Sequence, residues 1–185
     1  DGSDLESIKL SGELVEFYHN VRATLLEHSP LLSKSIGDKD RKIILDRMGM
    51  AASDYRQRIY QNGFWGKKRS VSLSGMREFT QVCLDFIEHS IRANQLADKL
   101  YHSYNLMTAN DTGISCSHLS EMLEGQVAVL SSGYLNSEEA LEVLDALKSS
   151  ALFREDQYSY ILYPNKDLPG FLQKNTIPAP EAQAS

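Results

Sequence analysis

The chain contains too little cysteine to be held together by it. Its 185 residues include only Cys83 and Cys116, which excludes the disulfide framework that staples small secreted domains, and neither thiol has a nearby Cys partner for a zinc knuckle. Two reduced thiols in a reducing compartment are the simplest assignment. An apolar run of about 18 residues is also missing, so no transmembrane segment is expected. The first residues carry no basic, apolar and small-residue export signal. A cytoplasmic location is favoured, with a secreted or periplasmic one left open should a signal have been removed.

Positive charge is in deficit as well. With 19 basic and 25 acidic side chains the net charge is −6, so long-range attraction to nucleic acid is not favoured. The local exception is Lys67-Lys68-Arg69 beside Trp65, read first as a solvated loop and second as an anion-recognition patch. No phosphate-cradling Walker loop, no G-x-G-x-x-G fingerprint and no internal repeat is found.

What is present is ordinary globular material: 42% hydrophobic and 24% charged residues. A compact chain of this mass exposes roughly 9,000 Å² and needs neither metal nor disulfide to supply a core. One domain over residues 1–177 is expected, followed by a flexible C-terminal tail at 178–185.

Helical periodicity organises the domain. Leu14, Val15, Tyr18, Val21 and Leu25 give residues 10–27 one apolar face, ended by Pro30. After Gly37 the pattern resumes through Ile44 and Met48, meets Gly49, continues over residues 51–60 and stops at Gly63. Residues 64–71 read as a loop or short extended connection, with Ser72 or Ser74 capping a long helix that carries Phe79, Val82, Phe86 and Ile91. Residues 108–113 look like a connector, and Leu119 to Leu130 like another helix ended by Gly133. Asn136 and Glu139 make a capping-box start for the last helix, whose buried face includes Val143, Leu144 and Leu147. If Leu144 is fully buried, its truncation to Ala costs about 2 to 5 kcal/mol. Residues 158–163 allow a short extended segment. The fold class is therefore read as all-α: a multi-helix bundle or partial α/α toroid, with that short C-terminal extension.

Chemistry concentrates at residues 98–105. On a helix, Asp98 and His102 would share one face at i,i+4 with Tyr101 and Asn105 alongside. An acid, an imidazole, an amide and aromatic rings suit a polyhydroxylated ligand, because amides and acids divide the donor and acceptor work while a ring covers a sugar face. Trp65, Asp98, Tyr101, His102, Tyr104 and Asn105 are the candidate ligand contacts. A capped helix end with core aromatics explains the same residues without a ligand. Glu121 and Glu124 are available for acid/base work, but no pair of carboxyls has a diagnostic spacing. Glu16-x-x-His19 matches half of a helical carboxylate metal motif, and His118-x-x-Glu121 runs in the reverse order. Chance supplies such a match at this composition, so no metal is assigned.

Several islands resemble a segment of large bacterial proteins related to cellobiose phosphorylases. They are Arg47-Met48-Gly49-Met50, Tyr55-Arg56-Gln57-Arg58-Ile59-Tyr60, Ile91-Arg92-Ala93-Asn94, Tyr101-His102-Ser103-Tyr104-Asn105-Leu106-Met107 and Leu123-Glu124-Gly125-Gln126. Tyr158-Ser159-Tyr160-Ile161-Leu162-Tyr163-Pro164 and Leu168-Pro169 extend the similarity, which spans residues 47–177. The resemblance implies an α/α toroid in the wider protein, carbohydrate as ligand, and phosphorolysis with inorganic phosphate as co-substrate rather than a bound cofactor. Glu124 becomes the catalytic candidate because it lies in one island. The chain is too short for a whole toroid, so neighbouring enzyme domains are implied partners. A structural helical domain without autonomous catalysis is the competing reading.

Overall fold

The computed structural model describes residues 6–64 and 67–178. Among them 55% are helical and 15% lie in three small antiparallel sheets, so the architecture is mixed α/β and the all-α bundle or partial toroid is corrected. The strands escape a periodicity reading because each is at most five residues long and several lack an apolar alternation, as in Lys-Arg-Ser-Val-Ser of β2 (Lys68–Ser72).

The N-terminal half is built on three helices. Strand β1 (Ser7–Ser11) takes Leu10 out of the expected first helix and pairs it with Arg69 of β2. Helix α1 (Gly12–His28) then buries Val15, Tyr18, Val21 and Leu25, spaced three or four apart along one face. Helix α2 (Asp38–Asn62) runs unbroken through Gly49, where no neighbouring atom lies within 4 Å of a built Cβ. It ends where Gly63 adopts φ 67° and donates its N–H to the Ile59 carbonyl at 2.9 Å, a left-handed exit that favours glycine. Helix α3 (Leu73–Ala93) begins at Ser72, whose Oγ accepts the Gly75 N–H at 3.1 Å. Val21, Leu25, Ala51 and Val82 meet between the three helices, with Phe79 and Phe86 packed against them. Val15, Tyr18 and Val71 form a second cluster that closes the β1–β2 ribbon onto α1.

The C-terminal half hangs from the end of α3. Strands β3 (Asn105–Ala109) and β4 (Ile114–His118) form a hairpin, and the expected connector is its turn, in which Asn110 Oδ1 accepts from the N–H groups of Thr112 and Gly113. Helix α4 (Leu123–Ser131) starts later than the sequence suggests, and α5 (Ser137–Ser149) opens with the expected capping box. Asn136 Oδ1 accepts from Glu138 and Glu139 N–H, while Glu139 Oε2 accepts from Asn136 N–H. Val143 and Leu147 face the interior, whereas Leu144 is 47% exposed, so the cost of truncation moves from Leu144 to its neighbours. Two-residue strands β5 (Phe153–Arg154) and β6 (Ser159–Tyr160) pair near the C-terminal extension, the Leu162 carbonyl accepts the Leu123 N–H at 2.8 Å, and the short α6 (Phe171–Lys174) follows. Residues 179–185 of the expected tail lie outside the described residues. No helix among the described residues is long and apolar enough to cross a membrane.

Candidate functional site

Residues 98–105 do not continue a helix. Helix α3 stops at Ala93, and the chain turns back so that Gln95 bridges Tyr101, with Leu96 N–H donating to the Leu100 carbonyl at 2.8 Å and His102 N–H to the Asn94 carbonyl at 2.9 Å. The helical juxtaposition of Asp98 with His102 is therefore lost. Asp98 Oδ1 instead accepts the Leu100 N–H at 3.1 Å and shapes the turn, in which Lys99 takes φ 75°.

Tyr101 sits in the core at 4% exposure, among Val129 and Val143, and burial is the first cause pushing its phenol above the ordinary tyrosine range. Its two backbone groups are both held by Gln126, which is 0% exposed: Oε1 accepts Tyr101 N–H at 2.9 Å and Nε2 donates to the Tyr101 carbonyl at 2.8 Å. A third bond runs from Nε2 to the carbonyl of Met122, the residue before α4, at 2.9 Å, so the amide group has partners at both its oxygen and its nitrogen. Gly125, one residue earlier, must be small, because a Cβ there would collide with Ser103 Oγ. Gln126 is the residue that sequence reasoning missed. Its signal was a polar residue on the apolar face shared with Met122 and Val129, at i−4 and i+3.

The other candidates meet at the surface. Tyr104 Oη donates to Glu124 Oε2 at 2.8 Å, and that hydrogen bond, ahead of the carboxylate charge, raises the phenol above its ordinary value. Glu124 is exposed in the first turn of α4, where a carboxylate interacts favourably with the helix dipole. Asn105 lies opposite His118 in the β3–β4 register, and its Oδ1 accepts from His118 Nδ1 at 2.7 Å. The His118 ring stacks on His102 with centroids 4.3 Å apart and planes 6° from parallel. His102 Nδ1 donates to the Leu119 carbonyl at 3.1 Å. With both Nδ1 atoms committed as donors, Nε2 is the acceptor of each neutral ring. The structure thus brings His102, Tyr104, Asn105 and Glu124 to one region, adds His118 to them, buries Tyr101 beneath and leaves Asp98 in a separate turn. Trp65 lies outside the described residues.

Two clefts flank the stacked rings. One, of about 410 Å³, is walled by Phe86, Ile87 and Ile91 of α3 and by Ala128 and Val129 of α4, with His102 at its edge. The other, of about 480 Å³, lies between α2, α3 and the β3–β4 hairpin, with His118 at its edge. Phe86, Ser90 and Asn94 line both.

The basic patch and the half metal motif meet elsewhere. Glu16 pairs with Arg58 of α2 and, at 3.5 Å, with Arg69 of β2, so the acid of Glu16-x-x-His19 serves as a counter-charge to two guanidinium groups. Surface pairs of this kind contribute little to stability.

The stack has a pH consequence. Burial, followed by the neighbouring His102, lowers the His118 pKa from its ordinary value near 6.5. The unfolded chain therefore binds the proton more readily, so this contribution to stability is complete above about pH 6.5 and is lost as pH falls through the folded value. Urea midpoints should drop between about pH 7 and pH 5, and His118→Gln should shrink that drop. Equal drops in both proteins would show that the stack does not contribute.

No family model matches the chain, and no curated protein matches it. What the geometry defines is a mixed α/β domain with a polar rim around two open clefts.

Proposed function

We propose that the chain is an interaction segment of a carbohydrate-associated protein, working through contacts with adjoining domains and not as an autonomous catalyst. The observation that carries this reading is surface area. The chain exposes 13,306 Å², against roughly 9,000 Å² for a compact protein of its mass. The fourteen undescribed residues, even if each were fully exposed at about 160 Å², would cover only about half of that excess. Large apolar side chains contribute to the remainder. Met50 and Tyr60 on α2, Ile87 on α3, and Leu168, Phe171, Leu172 and Ile177 near the C-terminus are all more than half exposed. Large apolar side chains left exposed in this way suit contact with adjoining domains.

The carbohydrate half of the proposal rests on the resemblance over residues 47–177 and on the rim. Tyr104, Asn105, His102 and Glu124 offer a ring, an amide, an imidazole and a carboxylate side by side, a set suited to hydroxyl groups. Glu124, the catalytic candidate, is engaged by the hydrogen bond from Tyr104 Oη.

One NMR experiment tests both halves. Backbone amides are followed in the chain alone, after adding a carbohydrate-processing domain from a resembling bacterial protein, and after adding a panel of neutral oligosaccharides. Slowed hydrogen exchange over residues 161–178 and α2 is expected with the domain, and saturable shifts at residues 102–105 with a sugar. Unchanged exchange sinks the docking half. A panel with no saturable shift in the folded protein sinks the carbohydrate half.

A further inference from the structure

The cleft on the α2 side of the histidine stack has an unusual combination of walls. The alternation of the β3–β4 hairpin puts Asn105 and Met107, with their register partners His118 and Cys116, on the face that lines it. Ile44, Leu45 and Met48 of α2 and Phe86 of α3 supply an apolar floor. At about 480 Å³ it falls within the range of small-molecule sites.

Its one guanidinium is already used. Arg41 pairs with Asp38 at 2.8 Å and donates to the carbonyls of Ile114 and Ile36, tying the hairpin to α2 and to the preceding loop. An anion entering the cleft would have to break those bonds. Two imidazoles are left with a spare acceptor. His89 Nε2 donates to the Lys34 carbonyl at 2.8 Å, leaving Nδ1 of the neutral ring, and His118 Nδ1 donates to Asn105, leaving Nε2. These lone pairs ask for a hydrogen-bond donor, and the apolar floor favours one carried on an uncharged frame.

We infer that this cleft binds an uncharged cyclic alcohol: a ring whose C–H faces lie on Met48 and Phe86 and whose hydroxyl groups donate to His89 and His118. A pyranose meets that description, and so does a simpler cycloalkanol. The inference rests on the carbohydrate half of the proposed function, moves its ligand to the cleft that Asn105 lines together with His118, and is independent of the docking half.

Cys116 makes the cleft readable. It lines the site, while Cys83 belongs to the core between the three N-terminal helices, where burial pushes its thiol up and slows its reaction. Alkylation of each thiol by iodoacetamide is followed by mass spectrometry with cyclohexanol, methyl β-D-glucopyranoside, cyclohexanecarboxylate or cyclohexylammonium present. Either neutral probe should slow Cys116 several-fold in a saturable manner, leave Cys83 unchanged, and lose its effect in Met107→Glu, an exposed position where a carboxylate enters the cleft without disturbing the core. Protection by cyclohexanol alone keeps the cleft and removes the carbohydrate reading. The inference is overturned if neither neutral probe protects, if the charged rings protect equally well, or if Cys83 slows in parallel.

Discussion

Replacing Gln126 by Leu, which keeps the side-chain volume, should destabilise the protein by about 2 to 5 kcal/mol, because it orphans two fully desolvated backbone groups at about 1 to 3 kcal/mol each. Both belong to Tyr101, whose N–H and carbonyl point to Gln126, since the neighbouring bridge to Gln95 uses the groups of Leu100 and His102 instead. At this chain length the melting temperature should fall on the order of 10 °C. Thermal denaturation with a parallel urea titration measures it. A loss under about 1 kcal/mol would mean that water or a rearranged turn replaces the amide, and the description of this side chain as the link between the 94–102 turn and α4 would be wrong.

Truncating Leu152 to Ala should cost a similar amount, about 2 to 5 kcal/mol, through lost transfer energy and the cavity left behind. Leu152 is 0% exposed and packs with Leu100 and Leu147, under Leu96 and Leu123. Those residues come from the turn after α3, from α4 and from α5, so no single element can collapse into the space. Leu144→Ala, at 47% exposure, should cost under about 1 kcal/mol. Urea unfolding of both variants with an unchanged m-value decides the matter; equal losses would contradict the orientation of α5.

That contrast shows what was legible in the sequence. Apolar spacing locates α1, α2, α3 and α5, and the Asn136 and Glu139 pair marks the start of α5 to the residue. It could not choose between Val143 and Leu144, because adjacent apolar residues on a short helix satisfy the period about equally until the packing partner is known. Strands were hidden for a different reason. The β3–β4 hairpin puts Asn105, Met107, Cys116 and His118 on one face, and that face meets a cleft, so no apolar alternation distinguishes it. The candidate site was half legible. Tyr104, Asn105, His102 and Glu124 were identifiable by type, but His118 joins them only through a strand register, and Tyr101 leaves them because the chain reverses after Ala93.

The four core clusters form two pairs, and α3 reaches both. Phe79 and Phe86 pack against the clusters of the N-terminal half and Ile91 against one in the C-terminal half. Opening either half uncovers side chains at one end of the same helix. Twenty-one residues of one helix thus touch both halves, so hydrogen exchange along α3 should report the opening of either, and the histidine stack sits beside that helix.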